Sequence, residues 1–303
     1  MDRQKAQKQN DMGLRDETRK KVERAVRLLR SIEQKEGERV EIAYSGGKDS
    51  DVILELARMA DIPHKAIYKS TTIDPPGTIM HAVRAGAEIR RPKRSFFQLV
   101  AMKGLPTRFS RFCCAELKEY PSENYNVVLG VRRDESRKRA DRYTEPVVCR
   151  VWNKHKGIRQ QFIYPILDWT MADEVDFIHE RGIRLHPLYY REDGTLDLTR
   201  RLGCLCCPLM SARKRVEQFK QYPGIMRLYI KATQRFLDTH KGGLAWRYYQ
   251  GSAAQMIVHK VLSNSSPDDF QSMRDFGTPM SEQDFRYIIA QHFGWEALPK
   301  EMR

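Results

Sequence analysis

The sequence predicts an α/β protein built on a mostly parallel sheet, with a helical extension toward the C-terminus. Three observations carry that expectation. Between residues 40 and 185, short apolar runs alternate with segments whose apolar residues recur at helical spacing; strands separated in this way pair in parallel, with both faces covered. The first run leads into a glycine-rich loop and then a helical pattern, the opening of an α/β unit. From residue 208 onward the pattern is helical only.

The elements follow in order. Residues 13–35 are charged and helix-favouring, with Val22, Ala25, Val26, Leu28, Leu29 and Ile32 as one apolar stripe. Val40–Tyr44 is the first strand, followed by the loop Ser45-Gly46-Gly47-Lys48-Asp49-Ser50 and a helix marked by Val52, Ile53, Leu56, Ala57 and Ala60. Lys65–Lys69 is a second strand, closed by the turn residues Asp74-Pro75-Pro76-Gly77 before a helix from Thr78. Residues 87–90 form a third strand, 96–102 a helix, 126–130 a buried strand and 162–166 a further short one. Thr170 with Asp173 and Glu174 starts a helix in capping-box style. The C-terminal helices break at Pro223-Gly224, Gly242-Gly243, Ser263–Pro267 and Gly277.

Composition narrows the function classes. The 303 residues, 41% of them hydrophobic, suffice for a sizeable core. No stretch approaches the roughly 18 apolar residues of a membrane span. The N-terminus lacks an apolar signal segment, so a cytoplasmic protein without membrane partners is expected. The net charge of +15 is unevenly spread: residues 131–160 hold ten basic and four acidic residues, and residues 199–260 hold twelve and two. Charge gathered in blocks suits a polyanion or small anionic substrates; a solvated basic face is the plainer alternative.

The loop at residues 45–50 suits phosphate. Its glycines let backbone N–H groups approach phosphate oxygens, the next helix offers its positive end, and Lys48 adds a point charge. It is not a Walker A loop. The stretch resembles the PP-loop of the ATP pyrophosphatase superfamily, in the branch related to phosphoadenosine phosphosulfate (PAPS) reductases. Thr71–Pro76, Gly130–Ser136, Pro165–Trp169, His186–Tyr189 and Gly203–Pro208 resemble that branch in the same order. The resemblance spans roughly residues 35–210. It implies a Rossmann-like fold of the adenine nucleotide alpha hydrolase type, with nucleotide at the strands' carboxyl ends. It divides the chain into an N-terminal helix (1–35), a nucleotide-binding domain (36–210) and a helical, basic C-terminal region (211–303).

The same resemblance implies cleavage of ATP between its α- and β-phosphates, with magnesium, to adenylate an acceptor oxygen that a second nucleophile, often sulfur, then displaces. It places Ser45, Gly46, Gly47, Lys48, Asp49, Ser50, Asp74, Gly130, Arg132, Glu135 and Arg137 at the nucleotide. Lys48, Asp49, Arg132 and Arg133 take the catalytic roles, and Arg139 joins the anionic lining. Asp168 and Glu135 are candidate bases.

The six cysteines are Cys113, Cys114, Cys149, Cys204, Cys206 and Cys207. Clustered cysteines in a cytoplasmic chain point to metal or redox chemistry rather than disulfides. Cys113, Cys114, Cys204 and Cys207 could hold a [4Fe-4S] cluster or zinc, and spacing alone leaves both open. Resemblance to adenylyl sulfate (APS) reductases and DNA phosphorothioation sulfurtransferases favours the cluster. Cys206 competes with its neighbours as a ligand, and Cys149 reads as a buried structural thiol.

Sulfonucleotide reductases carry a nucleophilic cysteine in a C-terminal Glu-Cys-Gly tail, whereas this sequence has no cysteine beyond Cys207. The intact loop likewise favours ATP. The first expectation is therefore an adenylating sulfurtransferase fed by a sulfur donor such as a cysteine desulfurase. Its acceptor would be DNA or RNA, because Phe219, Tyr222, Tyr229, Phe236, Trp246, Tyr248 and Tyr249 interleave with the basic residues; at helical spacing most of these aromatics read as core, which leaves Trp246, Arg247, Tyr248 and Tyr249 as the surface candidates. The alternatives are an APS/PAPS reductase and a non-catalytic zinc-stabilised nucleic-acid binder.

Overall fold

The computed structural model describes residues 14–34, 37–153, 158–262 and 281–303. In chain order its main elements begin with α1 (Asp16–Arg30), β1 (Val40–Tyr44), α2 (Lys48–Ala60), β2 (His64–Lys69), α3 (Thr78–Arg84) and β3 (Glu88–Arg90). Next come α4 (Phe96–Lys103), α5 (Phe112–Leu117), β4 (Asn126–Val128), α6 (Arg137–Arg142), β5 (Val147–Asn153), β6 (Ile158–Ile163) and α7 (Met171–Glu180). The remainder is helical: α8 (Ala212–Gln221), α9 (Pro223–Thr239), α10 (Leu244–Tyr248), α11 (Ala253–Ile257) and α12 (Glu282–Phe293).

The described residues divide into two compact units. The first draws on Met1–Ser70, Asp74–Arg91 and Tyr120–Gly203; the second on Thr71–Ile73, Pro92–Glu119 and Cys204–Arg303. Chain order and spatial order therefore differ: residues 92–119 cluster with the C-terminal helices rather than with the sheet that precedes and follows them. An expected boundary near residue 210 does not capture that exchange, because long-range packing between α4 and α9 has no local signal in the sequence.

In the first unit six strands lie in the order β3-β2-β1-β4-β6-β5. All neighbours are parallel except β5, which runs antiparallel to β6 at the edge. The α/β fold class is as expected. The core gathers Leu29, Ile42, Val52, Ile53, Leu56, Val128 and Ile163, all fully or almost fully buried. Each such side chain contributes about 1.5–3 kcal/mol of transfer free energy. From β1 the chain moves outward through β2 and β3, then crosses back to β4 on the other side of β1. The carboxyl ends of β1 and β4 thus flank a topological switch point, where open α/β sheets bind ligands.

Two strand expectations need correction. β6 ends at Ile163, earlier than the 162–166 reading, because Tyr164-Pro165-Ile166 turns away from the ladder. β5 was not expected at all: Val148, Cys149, Arg150 and Val151 are exposed, and an edge strand wet on both faces has no apolar period. Cys149, expected to be buried, is exposed on that strand, with the Tyr125 hydroxyl 3.9 Å from its sulfur. Of the helix breaks, Ser263–Pro267 and Gly277 lie outside the described residues. The second unit packs α4, α5, α8, α9 and α11 around Phe96, Leu99, Phe219, Tyr229, Ile230 and Ile257.

Candidate functional site

β1 delivers Ser45-Gly46-Gly47 to the start of α2, whose first residues are Lys48, Asp49 and Ser50. Gly46 has φ +77°, and a Cβ there would meet Thr78 and Leu202 at 3.2 and 3.3 Å. Only glycine adopts that backbone readily. Ser50 closes the turn by donating its hydroxyl to the Gly47 carbonyl at 2.6 Å. The Lys48 N–H donates to the Tyr189 hydroxyl at 3.2 Å. Gly130 follows β4, and a Cβ on it would lie 2.9 Å from the Asp49 backbone, so glycine is what lets the two strand ends approach.

At this junction four ionisable side chains share a buried cluster. Lys48 Nζ is 2.8 Å from Glu174 and 3.0 Å from Asp49. Arg132 reaches Asp49 at 2.8 Å and Glu174 at 3.2 Å, with Asp134 at 3.4 Å. Glu174 is fully buried, and Arg132 and Lys48 are 1% and 5% exposed. Burial drives the Glu174 carboxyl up to about 8, helped by the Asp49 charge and opposed by Lys48 and Arg132. Asp49 goes the other way: burial pushes it up, but Lys48 and Arg132 outweigh this and hold it at about 2. Two carboxyls of divergent proton affinity beside two cations can release positive charge toward an incoming phosphate.

Beneath the loop a second network is buried. The Tyr44 hydroxyl donates to Asp51, and His81 Nε2 lies 3.0 Å from both Asp51 oxygens. Burial raises the Asp51 carboxyl, partly offset by His81. The His81 ring stands edge-on to His186 at 5.7 Å, and burial lowers the His186 imidazole. His186 Nδ1 also accepts from the Leu188 N–H at 3.0 Å.

Other residues expected at the nucleotide are placed differently. Arg133 turns away from the cluster: it donates to the Tyr143 carbonyl at 2.8 Å and to the Thr144 carbonyl, and pairs with Asp168 at 2.5 Å. Glu135 pairs with Arg139 at 2.6 Å and with Arg201 at 3.8 Å. Arg137 is exposed and, among the described residues, makes no ion pair. Asp74 is half-buried, with the Ser70 hydroxyl 3.4 Å away. Sequence reasoning missed Glu174 as a site residue. The available signal was an acid three and four positions before Phe177 and Ile178, on the face that α7 buries.

In the second unit Cys113, Cys114, Cys204 and Cys207 line one cavity with Thr71, Leu117, Lys118 and Tyr229. α5 carries the first pair. The Cys204 thiol donates to Thr71 at 3.6 Å. The hydrogen bond between Cys113 and Cys114 pulls Cys114 down to about 6 and pushes Cys113 up. Cys206 does not line the cavity: it is fully buried, with φ +53°, and its N–H donates to Gln218 at 2.7 Å. Burial drives its thiol up to about 12. Four thiols on one cavity are a donor set for a [4Fe-4S] cluster or for zinc. Among the described residues no three Cys, His, Asp or Glu side chains already converge on one ion-sized position.

Of the aromatics interleaved with the basic residues, Phe219, Tyr229 and Tyr249 belong to the core and Tyr222, Phe236 and Trp246 pack against it, in keeping with their helical spacing. Tyr248 is 63% exposed. No helix among the described residues is long and apolar enough to cross a membrane.

Comparison with known proteins adds independent information. A family model described as the phosphoadenosine phosphosulfate reductase domain matches residues 39–210. An uncharacterized protein of Methanocaldococcus jannaschii is 25% identical over 240 residues, covering 73% of this chain and 47% of its own length. Sulfate adenylyltransferase subunit 2 of Shewanella pealeana is 26% identical over 190 residues, 49% of this chain and 59% of that one. The chain thus spans about half the length of the curated relatives it matches. Among solved structures, a PAPS reductase from Candida auris in complex with phosphate aligns at TM-score 0.42 and 16% identity, over 64% of this chain and 97% of that one. A U34-tRNA thiolase from Methanococcus maripaludis with its [4Fe-4S] cluster aligns at TM-score 0.35 and 13% identity, over 73% and 79%. The family match runs over more than half of the chain, from the strand before the glycine-rich loop to just past the Cys204–Cys207 pair, and on that ground the chain belongs to the phosphoadenosine phosphosulfate reductase domain family.

Proposed function

We propose that the chain is a PP-loop ATP pyrophosphatase that adenylates an acceptor for sulfur transfer. The observation that carries this reading is the loop at the switch point, where Lys48 and Arg132 are gathered at the N-terminus of α2 beside Asp49 and Glu174. A helix N-terminus, two buried cations and glycine-lined backbone suit pyrophosphate. An acceptor oxygen attacks the α-phosphorus, the bond to the bridging oxygen breaks and pyrophosphate leaves. A sulfur nucleophile from a donor such as a cysteine desulfurase then displaces AMP from the acceptor. Asp49, ionised throughout the neutral range, is the residue here suited to hold magnesium. Arg137, Glu135, Asp74 and Arg133 do not join its charge cluster among the described residues.

In this reading Cys113, Cys114, Cys204 and Cys207 hold a [4Fe-4S] cluster, which would supply a sulfur-handling or redox centre. The acceptor is nucleic acid, supported by the basic block at residues 199–260. Reduction of APS or PAPS is the second reading, favoured by the description of the family matched at residues 39–210. Calorimetric titration of anaerobically purified protein separates the two. ATP with magnesium should bind, APS and PAPS should bind feebly, and Lys48→Ala should weaken ATP about tenfold or more, roughly 1.4 kcal/mol. Tighter binding of PAPS than ATP would establish the reductase reading instead.

A further inference from the structure

The cysteine cavity is electrically incomplete. Tyr229 lines it and is fully buried, yet among the described residues its hydroxyl has no hydrogen-bond partner. The ring is clasped by Phe96, Phe97 and Phe219, with centroids 5.4, 5.4 and 5.2 Å away. That aromatic cage fixes its direction. Cys113, Cys114, Cys204 and Cys207 share that lining, so the ring stands in the same cavity wall as four thiols. Arg215 is 9% exposed and lies over Phe219 at 5.8 Å; its Nε and Nη2 are buried and, among the described residues, without hydrogen-bond partners.

A buried hydroxyl left unpaired costs about 1–3 kcal/mol, and a buried guanidinium without an anion costs more. Native interiors rarely retain such groups without a use. Tyr229 belongs to the lining of a cavity that Cys113, Cys114, Cys204 and Cys207 share, and Arg215 is a buried cation of the same unit; an anionic sulfur centre would take the hydroxyl's hydrogen bond and offset that charge. Thiolates around a four-iron core carry net negative charge, and donors aimed at the sulfurs stabilise the more negative, reduced state.

We propose that the Tyr229 hydroxyl is a hydrogen-bond donor to the sulfur of a thiolate-ligated cluster held by Cys113, Cys114, Cys204 and Cys207, with Arg215 as its buried counter-charge. The inference rests on the cluster reading of those four cysteines. Tyr229 is a positioning and tuning residue, not a ligand, and acts by favouring the reduced cluster.

The test uses the full chain, reconstituted anaerobically with iron and sulfide, as wild type, Tyr229→Phe and Arg215→Gln. Iron and sulfide content reports on the cluster itself, and a redox titration followed by electron paramagnetic resonance reports on Tyr229. Tyr229→Phe should load as much iron as wild type and show a more negative midpoint potential; Arg215→Gln should shift it in the same direction. The metal-free Tyr229→Phe protein should melt no lower than wild type, because the lost hydroxyl had no partner. Unchanged potentials in both variants, or a metal-free Tyr229→Phe protein that melts well below wild type, would overturn the role assigned to Tyr229. A wild-type protein that takes up no iron would remove the cluster reading and this inference with it.

Discussion

Glu174 is the fourth residue of α7 after its Thr170 cap, and points into the first unit rather than out to water. Its Oε2 takes both Lys48 and Arg132, while Oε1 is buried and, among the described residues, unpaired. The carboxyl therefore holds its proton up to about 8, whereas an unfolded chain releases it near its ordinary value of 4.5. Between those values the folded state binds more protons than the unfolded one, so stability falls as pH rises toward and through 8. Asp49, held at about 2, works in the opposite sense: its contribution is present above its ordinary range and is lost only as the solution becomes strongly acidic. Glu174→Gln removes the first dependence and leaves the second. Urea unfolding at pH 6, 7, 8 and 9 should show wild type losing about 1–2 kcal/mol relative to Glu174→Gln across that interval. A constant difference would mean that Glu174 is already ionised at pH 6, fixed as a permanent partner of Lys48.

The next scale up is the junction of β1, β4 and the start of α2, which depends on one absent methyl group. Gly130→Ala would drive a Cβ into the carbonyl carbon and oxygen of Asp49, both at 2.9 Å. Backbone cannot step aside as a flexible side chain would, so α2 must shift at the residues that carry the loop. A cost of about 1–3 kcal/mol is expected from such overpacking, together with loss of ATP binding; calorimetry and thermal melting check the two separately. Wild-type affinity in that variant would show that the loop works without tight apposition of the strand ends. Much of this junction could be read from sequence, because a strand, a glycine-rich loop and a helical apolar pattern are local features. Gly130 stood out only through the family resemblance, and Glu174 did not stand out at all, since an acid in a helix's first turn ordinarily serves the helix end. Thr170 and Asp173 show that ordinary use: they form the expected capping box, and Asp173 also pairs with Lys21 of α1 at 2.7 Å. β5 was invisible for the opposite reason, its exposed residues giving no period to detect.

Across the whole molecule the charge is distributed in a way that fold alone does not require. The block at residues 199–260 carries twelve basic residues against Glu217 and Asp238. Arg215 is the buried exception; Arg213, Lys214, Lys220, Lys231, Arg235, Lys241, Arg247 and Lys260 are all exposed. Arg213 pairs with Glu217 at 3.1 Å and Lys231 with Glu301 at 3.7 Å, but exposed pairs of this kind are worth little and leave most of the positive field uncompensated. The aromatics that interleave with these residues mostly serve the core, so the attraction this surface offers is to phosphates more than to bases. Binding of that kind is driven by counterion release, and its strength falls steeply with salt, by about 0.9 of a logarithmic unit per contacted phosphate on duplex DNA and about 0.7 on single strands. Fluorescence anisotropy with DNA and RNA oligonucleotides, repeated from low to physiological salt, should therefore give a steep log–log slope. Replacing Lys214, Lys220 and Lys241 with Gln should flatten that slope while leaving ATP affinity unchanged, because none of the three lies in the loop's own unit. A chain that binds no oligonucleotide even at low salt, yet binds ATP, would redirect the adenylation reading to a small anionic acceptor, for which this density of exposed charge supplies long-range attraction rather than a docking face.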